Sequence, residues 1–265
     1  MTELLTARSG RIKAARRLAD RRVRRELGRF LVEGPHLLAE AYAVDGAVVE
    51  VYATPEAAER YADLRATSPV AWQPADDRGI ASLSDTVTPT GVVGVCRSDR
   101  VLTPLDRAVG TEARLVVVCA DVRDPGNAGT VIRSADAAGA DAVVLAGRSV
   151  DPLNPQTVRA TVGSLFHLPV AVTGDVSETV AALRSRGITV LAADGGGEMD
   201  LFDADDLLAG PTAWLFGNEA WGLPAETAAL ADHRVRIPIL GRAESLNLST
   251  AAAVCLYASA RAHRR

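Results

Sequence analysis

Runs of aliphatic and β-branched residues, each bounded by Gly, Pro or charged positions, divide the chain into two stretches of alternating strand and helix pattern. In the first, short apolar strands are predicted at Phe30–Val32, Val48–Ala53 and Val92–Cys96, with helices opened by Gly34-Pro35 and Thr54-Pro55. This is a small α/β domain, residues 30–97. Residues 98–112 lose periodicity and carry Pro104 and Gly110, as a linker would. Beyond them apolar runs recur at Leu115–Ala120, Ala142–Leu145, Val170–Thr173, Ile188–Ala193, Thr212–Phe216 and Val235–Ile237, separated by helical stretches. Such alternation predicts an α/β domain, residues 113–265, built on a parallel sheet covered on both faces. Ligands of such sheets gather beyond the carboxyl ends of the strands.

Charge changes the picture at the N-terminus. Residues 1–29 hold nine Arg and one Lys against Glu3, Asp20 and Glu26, a charge of +7 that leaves −11 elsewhere in a chain of net charge −4. We read this segment as a basic helical arm suited to a polyanionic partner such as RNA, with Arg11, Arg16, Arg17, Arg21, Arg24 and Arg25 as candidate contacts. A solvated helix in an Arg-rich chain is the alternative reading of the charge run alone.

The other compositional signals mainly exclude. The longest apolar stretch, Ala251–Ala260, falls well short of the roughly 20 residues that cross a bilayer, and no signal-peptide core opens the chain, so a soluble cytoplasmic protein without membrane association is expected. Cys96, Cys119 and Cys255 are odd in number and sit in apolar segments, as reduced core thiols do. His36, His167, His233 and His263 show no ligand spacing, and no metal is expected. Gly195-Gly-Gly197 lacks the Lys-Ser/Thr ending of a Walker loop and reads as a mobile loop beside a site.

Three polar segments follow strands of the second domain. Asp121 to Arg133 runs through Asp-Pro-Gly into a helix predicted to start near Asn127, its N-cap, with Gly129 and Arg133 sharing one face. A phosphate or sugar approaching the gap at Gly129 would meet the Arg133 guanidinium. The same segment also reads as a surface helix with Gly129 as a packing contact. Next, Gly217-Asn-Glu219 places a carboxylate straight after an apolar strand, either as a site or as an exposed turn. Finally, Ser245, Asn247 and Ser249 precede the helix Ala251–Ala260, which is apolar on nearly every face. Burial against a second copy of the chain, or a core helix with polar capping, accounts for that pattern.

In order, Asn127-x-Gly129-x-x-x-Arg133, Phe216-Gly-Asn-Glu219 and Ile237-Pro-x-x-Gly-x-x-x-Ser245-Leu-Asn-Leu-Ser249 resemble the three motifs of the SpoU/TrmH family (SPOUT class) of RNA ribose 2'-O-methyltransferases. Phe30-Leu-Val-Glu-Gly34 and Thr88-Pro-Thr-Gly-Val-Val93 are similar to the family's ribosomal-protein-like substrate-binding domain, with Thr90 where the family often has Gln. The resemblance implies an S-adenosylmethionine-binding methyltransferase domain with a C-terminal trefoil knot, acting as a homodimer on RNA, with 23S ribosomal RNA favoured. It places Gly217, Ile237 and Leu246 at the cofactor, and Asn127, Arg133, Glu219, Ser245 and Asn247 at the reacting centre, where Glu219 is expected to orient Arg133 or RNA-facing groups of the partner. A transfer-RNA substrate, a non-catalytic RNA- or ribosome-binding assembly factor, and a nucleotide-binding oxidoreductase remain the alternatives.

Overall fold

In the computed structural model, which describes residues 4–264, the basic N-terminus is part of a folded unit rather than an arm. It forms two short helices, α1 (Gly10–Arg16) and α2 (Arg21–Leu27); Asp20 caps the second by accepting from the Arg22 N–H at 2.7 Å, and Gly28 closes it at φ 61°. Ile12, Ala15 and Leu18, spaced three apart, are buried with Leu31, Tyr52, Val93 and Val95. An arm would have left these apolar positions in water. Residues 1–3 of the expected arm, and residue 265, lie outside the described residues.

The strands of this first unit are β1 (Arg29–Glu33), β2 (Val48–Ala53), β3 (Trp72–Pro74) and β4 (Val92–Arg97), in the order β1-β4-β2-β3, with β4 antiparallel to both neighbours and β3 parallel to β2. Between them run α3 (Pro35–Tyr42), α4 (Pro55–Arg60), α5 (Ala62–Ala66) and α6 (Asp77–Ala81), the first two opened by the prolines expected to open them. Alternation along β1 turns Leu31 to the face covered by α1 and puts Val32 on the other, beside Leu38 of α3. Gly94 permits that approach, since a Cβ there would lie 2.5 Å from Leu38 Cδ2.

Residues 98–112 are not a free linker: α7 (Leu105–Ala108) lies within them, and Ala108 and Val109 enter the core of the second unit. That unit comprises Leu102–Pro152 and the chain from His167 onward. Its strands are β5 (Leu115–Ala120), β6 (Ala142–Ala146), β7 (Val170–Val172), β8 (Thr189–Ala193), β9 (Met199–Asp200), β10 (Thr212–Phe216) and β11 (His233–Arg236). All pairings are parallel, in the order β7-β6-β5-β10-β8-β11-β9. Every residue of β5, β6 and β10 is buried, as the unbroken apolar runs required.

The helices are α8 (Pro125–Ala137), α9 (Pro155–Thr161), α10 (Val176–Arg184), α11 (Asp205–Leu208), α12 (Ala225–Ala228) and α13 (Leu248–Ala262). Val180 and Leu183 of α10 pack against the face bearing Val116, Val118 and Val190, while α13 lies against β10, α8 and α11. The indole N–H of buried Trp214 donates to Ser259 Oγ of α13 at 2.9 Å. Within this chain α13 is buried on one face through Ala252, Cys255, Leu256 and Ser259, whereas Tyr257 is exposed, so its apolar sequence is not covered all round. All three cysteines are free and buried, and burial, with Glu219 nearby adding to it, pushes the Cys119 thiol up to about 12.

Residues 153–166, expected within the second domain, belong to the first unit. Phe166 stacks on Phe30 with centroids 6.3 Å apart, and Arg159 of α9 pairs with Asp85 and reaches within 3.8 Å of Glu33 Oε2. The other oxygen of Glu33 accepts from Ser84 Oγ at 2.7 Å and Thr86 Oγ1 at 2.9 Å.

Candidate active site

At the carboxyl edge of the second sheet the strand order reverses: β5 continues to β6 on one side, while β10, late in the chain, fills the place on its other side. Crevices at such reversals are where ligands sit. Beside this reversal three strands end around a pocket of about 310 Å³. β8 delivers Asp194 and Gly195, β10 delivers Gly217, Asn218, Glu219 and Ala220, and β11 is followed by Ile237 and Ile239. Glu244, Ser245, Leu246 and Leu248 close it from the segment leading into α13. The volume falls at the lower end of the range for small-molecule sites, roughly 300–1,000 Å³.

The β10 loop is tied at both ends. Asn218 and Gly222 exchange backbone hydrogen bonds, Asn218 N–H to Gly222 O at 2.9 Å and Gly222 N–H to Asn218 O at 2.8 Å. The buried Asn218 side chain accepts from the Ala220 N–H at 2.8 Å and donates to Asp121 O at 2.9 Å. Gly217 is required by close approach: a Cβ there would lie 2.3 Å from the Gly222 carbonyl carbon. Asp121, which receives this bond, directly follows β5 in the left-handed region at φ 56°, and its Oδ1 accepts from the Arg148 N–H at 2.6 Å.

The helix after β5 starts earlier than expected. Pro125 holds the first helical position and Asp124 is the N-cap, accepting from the Asn127 N–H at 2.7 Å, so Asn127 is inside the first turn with its side chain released from capping. That side chain accepts from Asn247 Nδ2 at 3.1 Å. Asn247 in turn caps α13, its Oδ1 accepting from the Ser249 N–H at 2.9 Å and Ser249 Oγ at 2.7 Å. The first and third motifs therefore meet through two amides.

Glu219 does not orient Arg133. Its carboxylate accepts from the backbone N–H groups of Asp124 at 3.0 Å and Arg123 at 3.2 Å, bracing the entry to α8. The reason is reach: Arg133 lies more than two turns along α8, exposed, while Glu219 sits where that helix begins.

Of the expected cofactor residues, Gly217, Ile237 and Leu246 all line the pocket, joined by Glu219 and Ser245. Asn127, Arg133 and Asn247 do not line it; the two Asn lie together at the start of α8 and α13. Gly195, of the glycine loop expected beside a site, and Asn218 of the second motif also line it, as do Asp194 and Glu244, which sequence reasoning missed although Asp194 directly follows a predicted strand, the position where ligands are expected. Among the basic residues, Arg24 is not an RNA contact. It is 3% exposed, and its Nη1 donates to the carbonyls of Leu18 and Ala19, both at 2.8 Å, closing the turn between α1 and α2. Arg16, Arg17, Arg21 and Arg25 are exposed, as is Arg11, which donates to Gln73 Oε1 at 2.9 Å.

Residues 114–257 match the profile of the SpoU rRNA Methylase family, and residues 10–94 match an MRM3-like substrate binding domain. The chain is 32% identical over 260 residues to the 23S rRNA (guanosine(2553)-2'-O)-methyltransferase RlmP of Bacillus subtilis (strain 168), covering 97% of this chain and 98% of the relative. The AdoMet-bound rRNA methyltransferase of Sinorhizobium meliloti superposes with a TM-score of 0.84 at 31% identity, covering 98% of both chains. The SpoU methyltransferase AviRb of Streptomyces viridochromogenes, in complex with AdoMet, superposes with a TM-score of 0.85 at 30% identity over 96% of this chain and 98% of that one. With the three motifs converging on one sheet edge and the match running nearly end to end, this chain belongs to the SpoU rRNA methylase family.

Proposed function

We propose that the protein transfers a methyl group from S-adenosylmethionine to a ribose 2'-hydroxyl of RNA, with 23S ribosomal RNA as the substrate. The observation that carries this reading is the pocket at the β10 edge, bordered by Glu219, which braces the loop leading to Asn127, whose side chain in turn meets Asn247. Its residues suit the methyl donor. Asp194, Glu219 and Glu244 offer carboxylates to a cation, Gly195 and Gly217 offer exposed backbone, and Ile237 and Leu246 offer an apolar seat for a purine ring. When bound, S-adenosylmethionine supplies an electrophilic methyl on a sulfonium that is already a good leaving group.

The protein's own residues then have to place the 2'-hydroxyl in line and ease loss of its proton. Asn127 and Asn247 hold the hydroxyl, each amide having one bond within the pair and further donor or acceptor capacity for the ribose. Arg133, a guanidinium cation with a planar fork of donors, serves as a clamp on the neighbouring phosphate and as a positive charge beside the developing alkoxide. Ser245, on the pocket lining, completes the polar set.

In this reading the segment from Ile237 through α13 forms the family's trefoil knot. A second copy of the chain covers the outer side of α13, where Tyr257 is 55% exposed. The first unit is the RNA-holding, ribosomal-protein-like domain, presenting Arg11, Arg16, Arg17, Arg21 and Arg25. No helix among the described residues is long and apolar enough to cross a membrane, and we place the activity in the cytoplasm, where ribosomal RNA is made and used.

The test is transfer of labelled methyl from S-adenosylmethionine to RNA of a strain lacking the protein, followed by nuclease mapping. Methyl on a ribose 2'-oxygen of 23S RNA is expected. Methyl in transfer RNA would move the substrate assignment, and tight donor binding without transfer to RNA or ribosomal subunits would replace the enzyme by an assembly factor. Arg133→Ala should lower the single-turnover rate at saturating RNA by roughly 100-fold or more, the scale of removing one donor that stabilises a transition-state oxyanion; a near-normal rate would remove Arg133 from the reacting centre.

A further inference from the structure

One aromatic side chain near the pocket is unexplained by donor binding. Trp221 lies in the tied loop between Ala220 and Gly222, both of which line the pocket, yet it is absent from that lining and is 56% exposed. The guanidinium carbon of Arg123 sits over its ring, 5.4 Å from the centroid. The two residues belong to loops that follow the central strands β5 and β10, and those loops are cross-braced by Glu219 to the Arg123 and Asp124 N–H groups and by Asn218 to Asp121 O. An indole left this open exposes apolar area that a partner could cover, and here it is held on a braced loop with a cation already in place.

We propose that Trp221 and Arg123 form a stacking platform for a nucleobase of the substrate RNA, next to the ribose that is methylated. This inference rests on the RNA methyltransferase reading above. The chemistry favours a base over an apolar protein surface. An indole presents a π-face that any base can stack on, and a guanidinium both stacks on planar rings and attracts the adjoining phosphate. The platform lies outside the donor pocket but shares its loop, since Ala220 and Gly222 on either side of Trp221 line the pocket. Trp221 and Arg123 are thus positioning residues for the RNA: they govern how firmly the strand is held, whereas Asn127, Asn247 and Arg133 act at the hydroxyl.

The experiment compares wild type with Trp221→Ala, Trp221→Phe and Arg123→Ala, using large-subunit ribosomal RNA for equilibrium binding and methyl transfer, and S-adenosylmethionine titration as a separate readout. Trp221→Ala is expected to raise the Kd and KM for RNA by roughly 5- to 150-fold, the span of one base–aromatic stack. The single-turnover rate at saturating RNA and the Kd for S-adenosylmethionine should stay within about 3-fold, less than half a decade of affinity. Trp221→Phe, which keeps a π-face, should recover most of the loss, and Arg123→Ala should fall between. Unchanged RNA affinity in Trp221→Ala would overturn the proposal. A weakened donor Kd would reassign the indole to the cofactor, and a change in sedimentation would reassign it to a contact between copies; either result also overturns it. If wild type binds RNA but transfers no methyl, the enzymatic reading fails while the RNA-binding arm still tests the platform.

Discussion

Substituting Gly217 by Ala probes the architecture of the donor pocket with one methyl group. Its φ lies outside the left-handed region, so the cost of Gly217→Ala is steric rather than conformational. The added Cβ would stand 2.3 Å from the Gly222 carbonyl carbon, 2.4 Å from its oxygen and 2.5 Å from Leu223 N. Ordinary contact begins near 3.4 Å, and all three atoms are backbone, so the Gly222–Leu223 peptide has to retreat by about 1 Å. That peptide's carbonyl accepts the Asn218 N–H at 2.9 Å, a bond that does not survive such a shift, and the reciprocal 2.8 Å bond is strained with it. One or two backbone hydrogen bonds at about 1 kcal/mol each, plus about 1–3 kcal/mol of overpacking, give about 2–5 kcal/mol. Charged to binding, this weakens S-adenosylmethionine by roughly 30- to 5,000-fold. Isothermal titration measures it, with thermal unfolding as a control for the fold. Gly222→Ala is the internal comparison: its φ is +68° and nothing lies within 4 Å of an added Cβ. It should cost only the strain of one left-handed residue, about 1–2 kcal/mol. A Gly217→Ala protein that binds the donor within about 3-fold of wild type, or better than Gly222→Ala, would refute the close-approach argument.

Other consequences are as specific. Ser259→Ala leaves the Trp214 indole N–H without its partner in a fully buried site; a loss of about 1–3 kcal/mol is expected, read as a fall of roughly 2–10 °C in Tm, and an unchanged Tm would mean the bond contributes nothing net. Burial pushes the Asp232 carboxyl up, but the Val190 N–H at 2.8 Å and Arg184 at 2.7 Å outweigh it and hold it below the usual range. A depressed folded value means Asp232 stabilises above the ordinary aspartate pKa of about 3.9 and loses that contribution as the pH falls through the folded value. The Tm of Asp232→Asn should therefore drop less than that of wild type between neutral and acid pH. Replacing Arg16, Arg17, Arg21 and Arg25 together by Gln, all exposed, should leave donor binding intact and flatten the salt dependence of RNA binding by about 0.7–0.9 for each phosphate no longer neutralised. An unaltered slope would remove this face from the RNA path. Deleting the segment would be a poorer test, since Ile12, Ala15 and Leu18 would leave the core with it.

How much of this was legible beforehand follows from the range over which each feature is encoded. Leu115–Ala120 and Thr212–Phe216 were readable to the residue because a strand buried on both faces is apolar or β-branched along its length. The prolines at 35 and 55 marked helix starts because their ring is tolerated there and nowhere deeper in a helix. β3 and β9, at three and two residues, are too short to show a period and were missed. The three motifs named the family and most of the pocket, since Gly217 and Ile237 directly follow strands wherever those strands pair.

Pairing itself was decided only in the tertiary structure. No local pattern states that β10 lies between β5 and β8, that Asn127 meets Asn247 across 120 positions, or that residues 153–166 pack with the first unit. Nor does the charge run distinguish Arg24, buried against two carbonyls, from exposed Arg25 beside it. Local sequence determines which conformation a segment prefers and which side of it avoids water. Which distant segment supplies the missing partner is set by the free energy of burying all those sides together, a property of the whole chain.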